Sequence, residues 1–188
     1  ERIVEYAFKY ALDNDRKKVT VCHKANILKY TQGLFLNTAR EVAKKYPQIE
    51  FDEKIIDAAC MHMVMKPEQF DVVVTTNMFG DILSDLTAGL VGGLGLIPGA
   101  NIGRDAALFE AVHGSAPDIA GKNIANPTAV MMAGVMMLNH LGEHAAAVRM
   151  QNAIEKVVNE GKYVTPDLNP NSTCGTKEMG KAIVDAMS

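Results

Sequence analysis

The segment Asp71-Val72-Val73-Val74-Thr75-Thr76 constrains the fold of this chain more than any other. Its β-branched run shows no alternation with polar residues, the mark of a strand covered on both faces, and helices are what cover such strands in open sheets. The flanking sequence supplies those helices. Residues 2–12 place apolar side chains at helical spacing, and the polar Asn14-Asp15-Arg16 separates them from Lys18-Val19-Thr20-Val21-Cys22, a short β-rich run. A long helical pattern follows from about Ile27 to Tyr46 and ends at Pro47, and a second runs from near Asp52 to before Pro67. Strands alternating with helices predict an α/β protein.

Beyond Thr76 the pattern is helical from Phe79 to Val91, and then Gly92-Gly93-Leu94-Gly95-Leu96-Ile97-Pro98-Gly99 concentrates backbone freedom. A turn or an interdomain crossing is expected there. Ala106 to Val112 reads as another buried strand, His113 to Ala125 as a long polar loop, and Pro127 as the opening of a methionine-rich helix. Helices over about 143–160 and 177–187 close the chain. Met131, Met132, Met136 and Met137 read as core filling.

Composition excludes several classes. The chain has 188 residues, 48% of them apolar, enough for a real core. With 19 basic against 22 acidic residues there is no basic field for nucleic acid or an anionic membrane. The longest apolar stretches, Leu86–Pro98 and Ala129–Leu141, fall short of the roughly 18–20 residues of a membrane span. Cys22, Cys60 and Cys174 share no metal-type spacing and point to a reducing compartment without a disulfide frame. The sequence opens inside a helical pattern, with no initiator Met and no signal-peptide core, so the expectation is a piece of a longer chain.

Several residues are placed for chemistry. Asp81 and Asp85 stand one helical turn apart, where two carboxylates can grip a hard cation such as Mg²⁺ or Mn²⁺; a solvated acidic face is the plain alternative. Context favours the site, because the pair follows the strand at 71–76 and so lies at a carboxyl end, where open α/β sheets bind ligands. Asp57 sits among apolar residues in Ile55-Ile56-Asp57-Ala58-Ala59 and is expected to be buried, hence paired or liganded. Lys24 also follows a strand, as an anion partner, a proton-transfer group or a surface lysine. In the loop beginning His113-Gly114-Ser115-Ala116-Pro117-Asp118-Ile119, small residues allow close backbone approach to a ligand, and Asp118 can accept from a ribose diol. No strand-turn-helix GxGxxG is present, which excludes an ordinary Rossmann fingerprint.

Four long motifs in order carry a resemblance to one family. They are His23-Lys24-Ala25-Asn26-Ile27-Leu28-Lys29; Asn77-Met78-Phe79-Gly80-Asp81-Ile82-Leu83-Ser84-Asp85-Leu86; Gly93 through Gly103; and Phe109 through Gly121 with Asn126-Pro127-Thr128. The chain resembles the metal-dependent β-decarboxylating dehydrogenases, isocitrate and 3-isopropylmalate dehydrogenases, essentially end to end. That resemblance implies an α/β fold with a mixed sheet and flanking helices, present as an incomplete two-domain fold. Residues 1–91 would be part of the small domain, which carries dimerisation and metal binding, and 92–188 the C-terminal part of the large dinucleotide-binding domain.

The resemblance further implies oxidative decarboxylation of isocitrate, a tricarboxylate, to 2-oxoglutarate with reduction of NAD. Asp81, Asp85 and Asp57 would hold Mg²⁺ or Mn²⁺, and Lys24 would move a proton at the substrate hydroxyl. Asp57 and Lys24 would be supplied across the interface of a homodimer or higher oligomer to the partner's site. Asn26, Glu110, His113, Gly114, Ser115, Ala116, Asp118, Ile119, Asn126 and Asp167 would bind the dinucleotide, Asp118 favouring NAD because its carboxylate repels the 2′-phosphate of NADP. His-Lys-Ala-Asn and Pro-Gly-Ala-Asn-Ile-Gly look more like NAD-linked isocitrate dehydrogenase than isopropylmalate dehydrogenase, the alternative within the class. A non-catalytic regulatory or binding subunit of a hetero-oligomeric dehydrogenase is the alternative outside it, opposed by intact Asp57, Asp81 and Asp85. The family's substrate-binding arginines and catalytic tyrosine lie upstream of Glu1, so this chain alone is expected not to turn over. Either a bacterial cytoplasm or a mitochondrial matrix fits.

Overall fold

In the computed structural model, which describes residues 1–188, the chain forms two compact units, Glu1–Leu90 and Val91–Ser188. The first is organised around one strand, β1 (Lys18–His23), whose Val19, Thr20, Val21 and Cys22 are completely buried. On one side β1 pairs in parallel with β2 (Glu50–Ile55), and on the other with β3 (Val72–Val74), giving the order β2-β1-β3. Successive side chains of a strand point to opposite faces, so each face takes its own layer. Val19 and Val21 pack under α1 (Arg2–Asp13) and α2 (Thr31–Ala43) with Val4, Phe8, Leu36, Ala39 and Val42. On the other face Cys22 packs under α3 (Ile56–Met65) and α4 (Asn77–Leu90) with Ile56, Ala59, Met63, Phe79 and Leu83. Each large side chain buried this way contributes about 1.5–3 kcal/mol.

The α/β class with flanking helices is the observed one, and in the first unit three local expectations are corrected. The strand at 71–76 is shorter, and as the sheet's edge it leaves Val72 and Val73 half-buried; the strand covered on both faces is β1. The helix expected from near Asp52 begins only at Ile56, and Glu50–Ile55 is strand. That polar segment is drawn into the sheet by a six-residue ladder to β1, Lys18 opposite Glu50 through His23 opposite Ile55, while its charges pair on the faces, Lys54 with Asp52 and Arg40 with Glu53. The helix expected from Ile27 starts at Thr31, and Ile27 and Tyr30 are exposed in the turn before it, Tyr30 to 93%.

The second unit is a three-helix layer, α5 (Thr128–His140), α6 (His144–Glu160) and α7 (Thr176–Ala186), packed through Val135, Ile154, Val157, Val164, Met179 and Ile183. Met131, Met132 and Met150 fill the margin of that core, while Met137 is 41% exposed. An antiparallel pair, β4 (Pro98–Ile102) and β5 (Ala107–Ala111), lies against α5, with the Phe109 ring 5.5 Å from that of His140. The hairpin turns at Gly103, where a Cβ would come within 2.9 Å of the Ala106 carbonyl oxygen. The buried strand expected at 106–112 is therefore a half-exposed ribbon strand, alternating inward and outward as antiparallel strands do. No helix is long and apolar enough to cross a membrane.

Candidate functional site

In the first unit the charged candidates gather at the carboxyl end of the parallel sheet. Lys24 follows β1 directly, and its Nζ donates to Asp57 Oδ1 at 2.6 Å. Asp57 stands on the first turn of α3, and the expectation that it is buried is wrong: its side chain is 68% exposed. Ile56, Ala59 and Met63 occupy the core-facing positions of α3, which turns Asp57 outward toward the lysine. The Lys24 ammonium holds the Asp57 carboxyl below its ordinary range. An exposed ion pair adds little stability, so its consequence is positional.

Behind the pair are two groups that the sequence did not single out. Buried Gln32 accepts the Lys24 backbone N–H at Oε1, 3.3 Å, and donates from Nε2 to Thr76 Oγ1, also at 3.3 Å, tying the end of β1 to the segment leaving β3. His23 accepts the Ala25 N–H at Nδ1, 3.0 Å, and burial pushes its pKa below the ordinary value. Asn26 is exposed in the turn beyond.

Asp81 and Asp85 lie on α4, which starts three residues after β3 ends. The inner face of α4 carries buried Phe79 and Leu83, so both aspartates are exposed on the outer side, one turn apart. Two adjacent carboxylates with free oxygen atoms suit a hard divalent cation, which is commonly held by one or two carboxylates with its remaining positions filled by water and substrate. Asp57 does not join them: no group of three or more His, Cys, Asp or Glu side chains comes together at metal-binding spacing in this chain.

The second unit carries a concave site of about 790 Å³, within the usual range for a small-molecule pocket. The loop between β5 and α5 forms one wall through His113, Gly114, Ser115 and Ala116, then Ile119 and Asn126; Asp167 contributes from the segment before α7. Ala116 holds φ +42, a left-handed conformation that costs an alanine about 1 kcal/mol and that clusters at functional sites. It leads into the single turn Pro117–Ile119. Asp118 sits on that turn, exposed, between two wall residues but outside the wall itself. Glu110 is also outside it, on β5, where it accepts from Asn101 Nδ2 at 2.9 Å.

The far end of the loop is held by side-chain amides. Asn126 Oδ1 accepts the Thr128 N–H at 2.9 Å, covering the start of α5, and its Nδ2 donates to Asp167 Oδ2 at 2.9 Å. Asn123, Thr176 and Lys177 also line the cavity, and sequence reasoning missed all three. A signal was available in Gly175-Thr176-Lys177-Glu178, where a glutamate three residues after a small residue marks a helix start close to the loop.

Charged groups at strand carboxyl ends and a glycine-containing loop around a cavity define an α/β protein of the ligand-handling kind. The chain belongs to the isocitrate/isopropylmalate dehydrogenase family, whose model matches residues 1–183. It is 53% identical over 174 residues to the protein named probable isocitrate dehydrogenase [NAD] subunit alpha, mitochondrial, of Drosophila melanogaster, covering 93% of this chain and 46% of that protein. To the 3-isopropylmalate dehydrogenase of Archaeoglobus fulgidus it is 59% identical over 171 residues, 91% of this chain and 52% of that one. The solved isocitrate dehydrogenase of Methylococcus capsulatus superposes with a TM-score of 0.96 at 65% identity, covering 99% of this chain and 55% of that structure's chain. The chain thus spans about half the length of the curated relatives it matches.

Proposed function

We propose that the protein containing this chain oxidises and decarboxylates isocitrate to 2-oxoglutarate with NAD as hydride acceptor. The observation that carries this reading is the cavity of the second unit, which brings together seven of the residues expected to bind the dinucleotide: His113, Gly114, Ser115, Ala116, Ile119, Asn126 and Asp167. Asp118, exposed on the turn between Ala116 and Ile119, accepts the ribose diol, and its charge disfavours a 2′-phosphate. Asn26 and Glu110 serve the cofactor from outside the wall. On this reading residues 1–91 act as the metal-binding and dimerising part and 92–188 as the dinucleotide-binding part.

Asp81 and Asp85 would hold Mg²⁺ or Mn²⁺, with Asp57 and Lys24 both contributed by a second protomer in a homodimer or larger assembly. A cation held there would supply Lewis-acid stabilisation of negative charge on the substrate oxygens. Lys24 moves the hydroxyl proton during oxidation, and Asp57 holds its Nζ in place until substrate arrives. Isocitrate is favoured over 3-isopropylmalate by the His23-Lys24-Ala25-Asn26 and Pro98–Gly103 segments and by the greater identity to the Methylococcus enzyme. The 59% identity to an isopropylmalate enzyme supports a second reading with the same machinery and a different substrate. Either a bacterial cytoplasm or a mitochondrial matrix is a compatible location.

The test is NADH formation by the whole protein with Mn²⁺, isocitrate against 3-isopropylmalate. Turnover of isocitrate alone supports the reading; turnover of isopropylmalate alone replaces the substrate. Turnover of neither moves the chain to a regulatory or binding subunit.

A further inference from the structure

We propose that Glu178 and Gly175, which do not line the cavity, are positioning residues for dinucleotide binding, acting through Asn123; this rests on the cofactor reading above. The backbone N–H groups of a helix's first turn need acceptors, and a glycine at the N-cap has no side chain to offer. At α7 the acceptors come from the cavity loop instead. Asn123, in a left-handed conformation at φ +57, accepts the Thr176 N–H at its carbonyl oxygen and the Lys177 N–H at Oδ1, each at 3.0 Å. Its Nδ2 donates to Glu178 Oε2 at 2.9 Å, and the same oxygen accepts the Gly175 N–H at 3.1 Å. Hydrogen bonding from Asn123 keeps the Glu178 carboxyl below its ordinary range, so it is ionised at neutral pH.

One residue therefore caps α7 from 54 positions away and is clamped by that helix's own glutamate. Because Asn123, Thr176 and Lys177 all line the cavity, the clamp sets the spacing of two of its walls. The fit leaves no slack: a Cβ on Gly175 would overlap the carbonyl oxygen and Nδ2 of Asn123. Gly175 has an ordinary extended backbone, so it is the close approach of Asn123 that requires a glycine there. The far end of α7 is rooted in the core through Met179 and Ile183, which makes the helix a rigid support for the loop.

The experiment compares Gly175→Ala, Glu178→Ala and Glu178→Gln in the whole enzyme, by steady-state kinetics and by equilibrium titration with NADH. Gly175→Ala and Glu178→Ala are expected to raise KM for NAD and Kd for NADH about tenfold, the loss of one or two well-placed hydrogen bonds. The KM for the organic acid and kcat at saturating NAD stay within about twofold, since the reacting groups are untouched. Glu178→Gln restores binding, because a carboxamide oxygen can still accept from both donors. Unchanged NADH affinity in Gly175→Ala and Glu178→Ala overturns the proposal, as does a parallel loss of affinity for both substrates. If Gly175→Ala fails to fold, the Glu178 pair decides alone. Wild-type enzyme that binds no NADH removes the cofactor reading itself, a result distinct from variants that bind as well as wild type.

Discussion

The two units hold their candidate groups by different means. In the first, Lys24 follows β1, Asp57 stands on the first turn of α3, Asp81 and Asp85 lie on the outer face of α4, and all are exposed or half-exposed; the sheet and its helices place the backbone, and the side chains carry almost none of the packing. In the second, the site is a loop fastened by Asn123 and Asn126, each capping a helix and each lining the cavity, so the groups that shape the pocket also hold the fold together. Chemistry and stability are thus separable in residues 1–90 and coupled in residues 91–188.

That difference sets the expected effects. Asp81→Asn should lower turnover of the whole enzyme by at least about 100-fold and weaken its dependence on Mn²⁺, while the unfolding midpoint stays in place, because the side chain is exposed. A large fall in Tm would break the comparison. Lys24→Ala should reduce kcat by about 100-fold with KM for NAD unchanged, a proton-transfer loss, again with little change in Tm. Asn126→Ala should act on both properties at once, raising KM for NAD about tenfold and costing about 1–2 kcal/mol in chemical denaturation, because it strips a helix cap and the Asp167 contact together.

The smallest effect concerns His23. Burial depresses its folded pKa below the ordinary 6.5, so below that pH the unfolded state binds the additional proton first. His23 therefore costs nothing above pH 6.5 and lowers stability as the pH falls from there toward its folded value. The slope of Tm between pH 7.5 and 5.5 should flatten in His23→Asn, and an identical slope would show that the ring is not held neutral.

Some of this was legible in the residues. The β-branched runs, the helices around them and the one-turn spacing of Asp81 and Asp85 follow from local geometry, and the structure has them. The small residues after His113 read as a ligand loop, and Gly114, Ser115 and Ala116 line the cavity. Other features misled for an identifiable reason. The polar string Glu50–Lys54 lacks a strand's pattern because its fate depends on β1, more than thirty residues earlier. Asp57 looked buried because its sequence neighbours are apolar, but α3 turns those neighbours inward and the aspartate out.

By itself, the sequence determined the class of fold and the family and supplied the candidates for chemistry, since periodicity and motifs are properties of consecutive residues. Only the tertiary structure decided that Lys24 meets Asp57, that Gln32 ties the ends of β1 and β3, and that Asn123 caps a helix it does not belong to. Those pairings join segments far apart in the chain. Packing the sheet and helices brings them together: buried Gln32 meets partners because a polar group shielded from water costs too much to leave unmet, the α7 N–H groups because a helix start needs acceptors, and the exposed Lys24–Asp57 pair because β1 ends beside the start of α3.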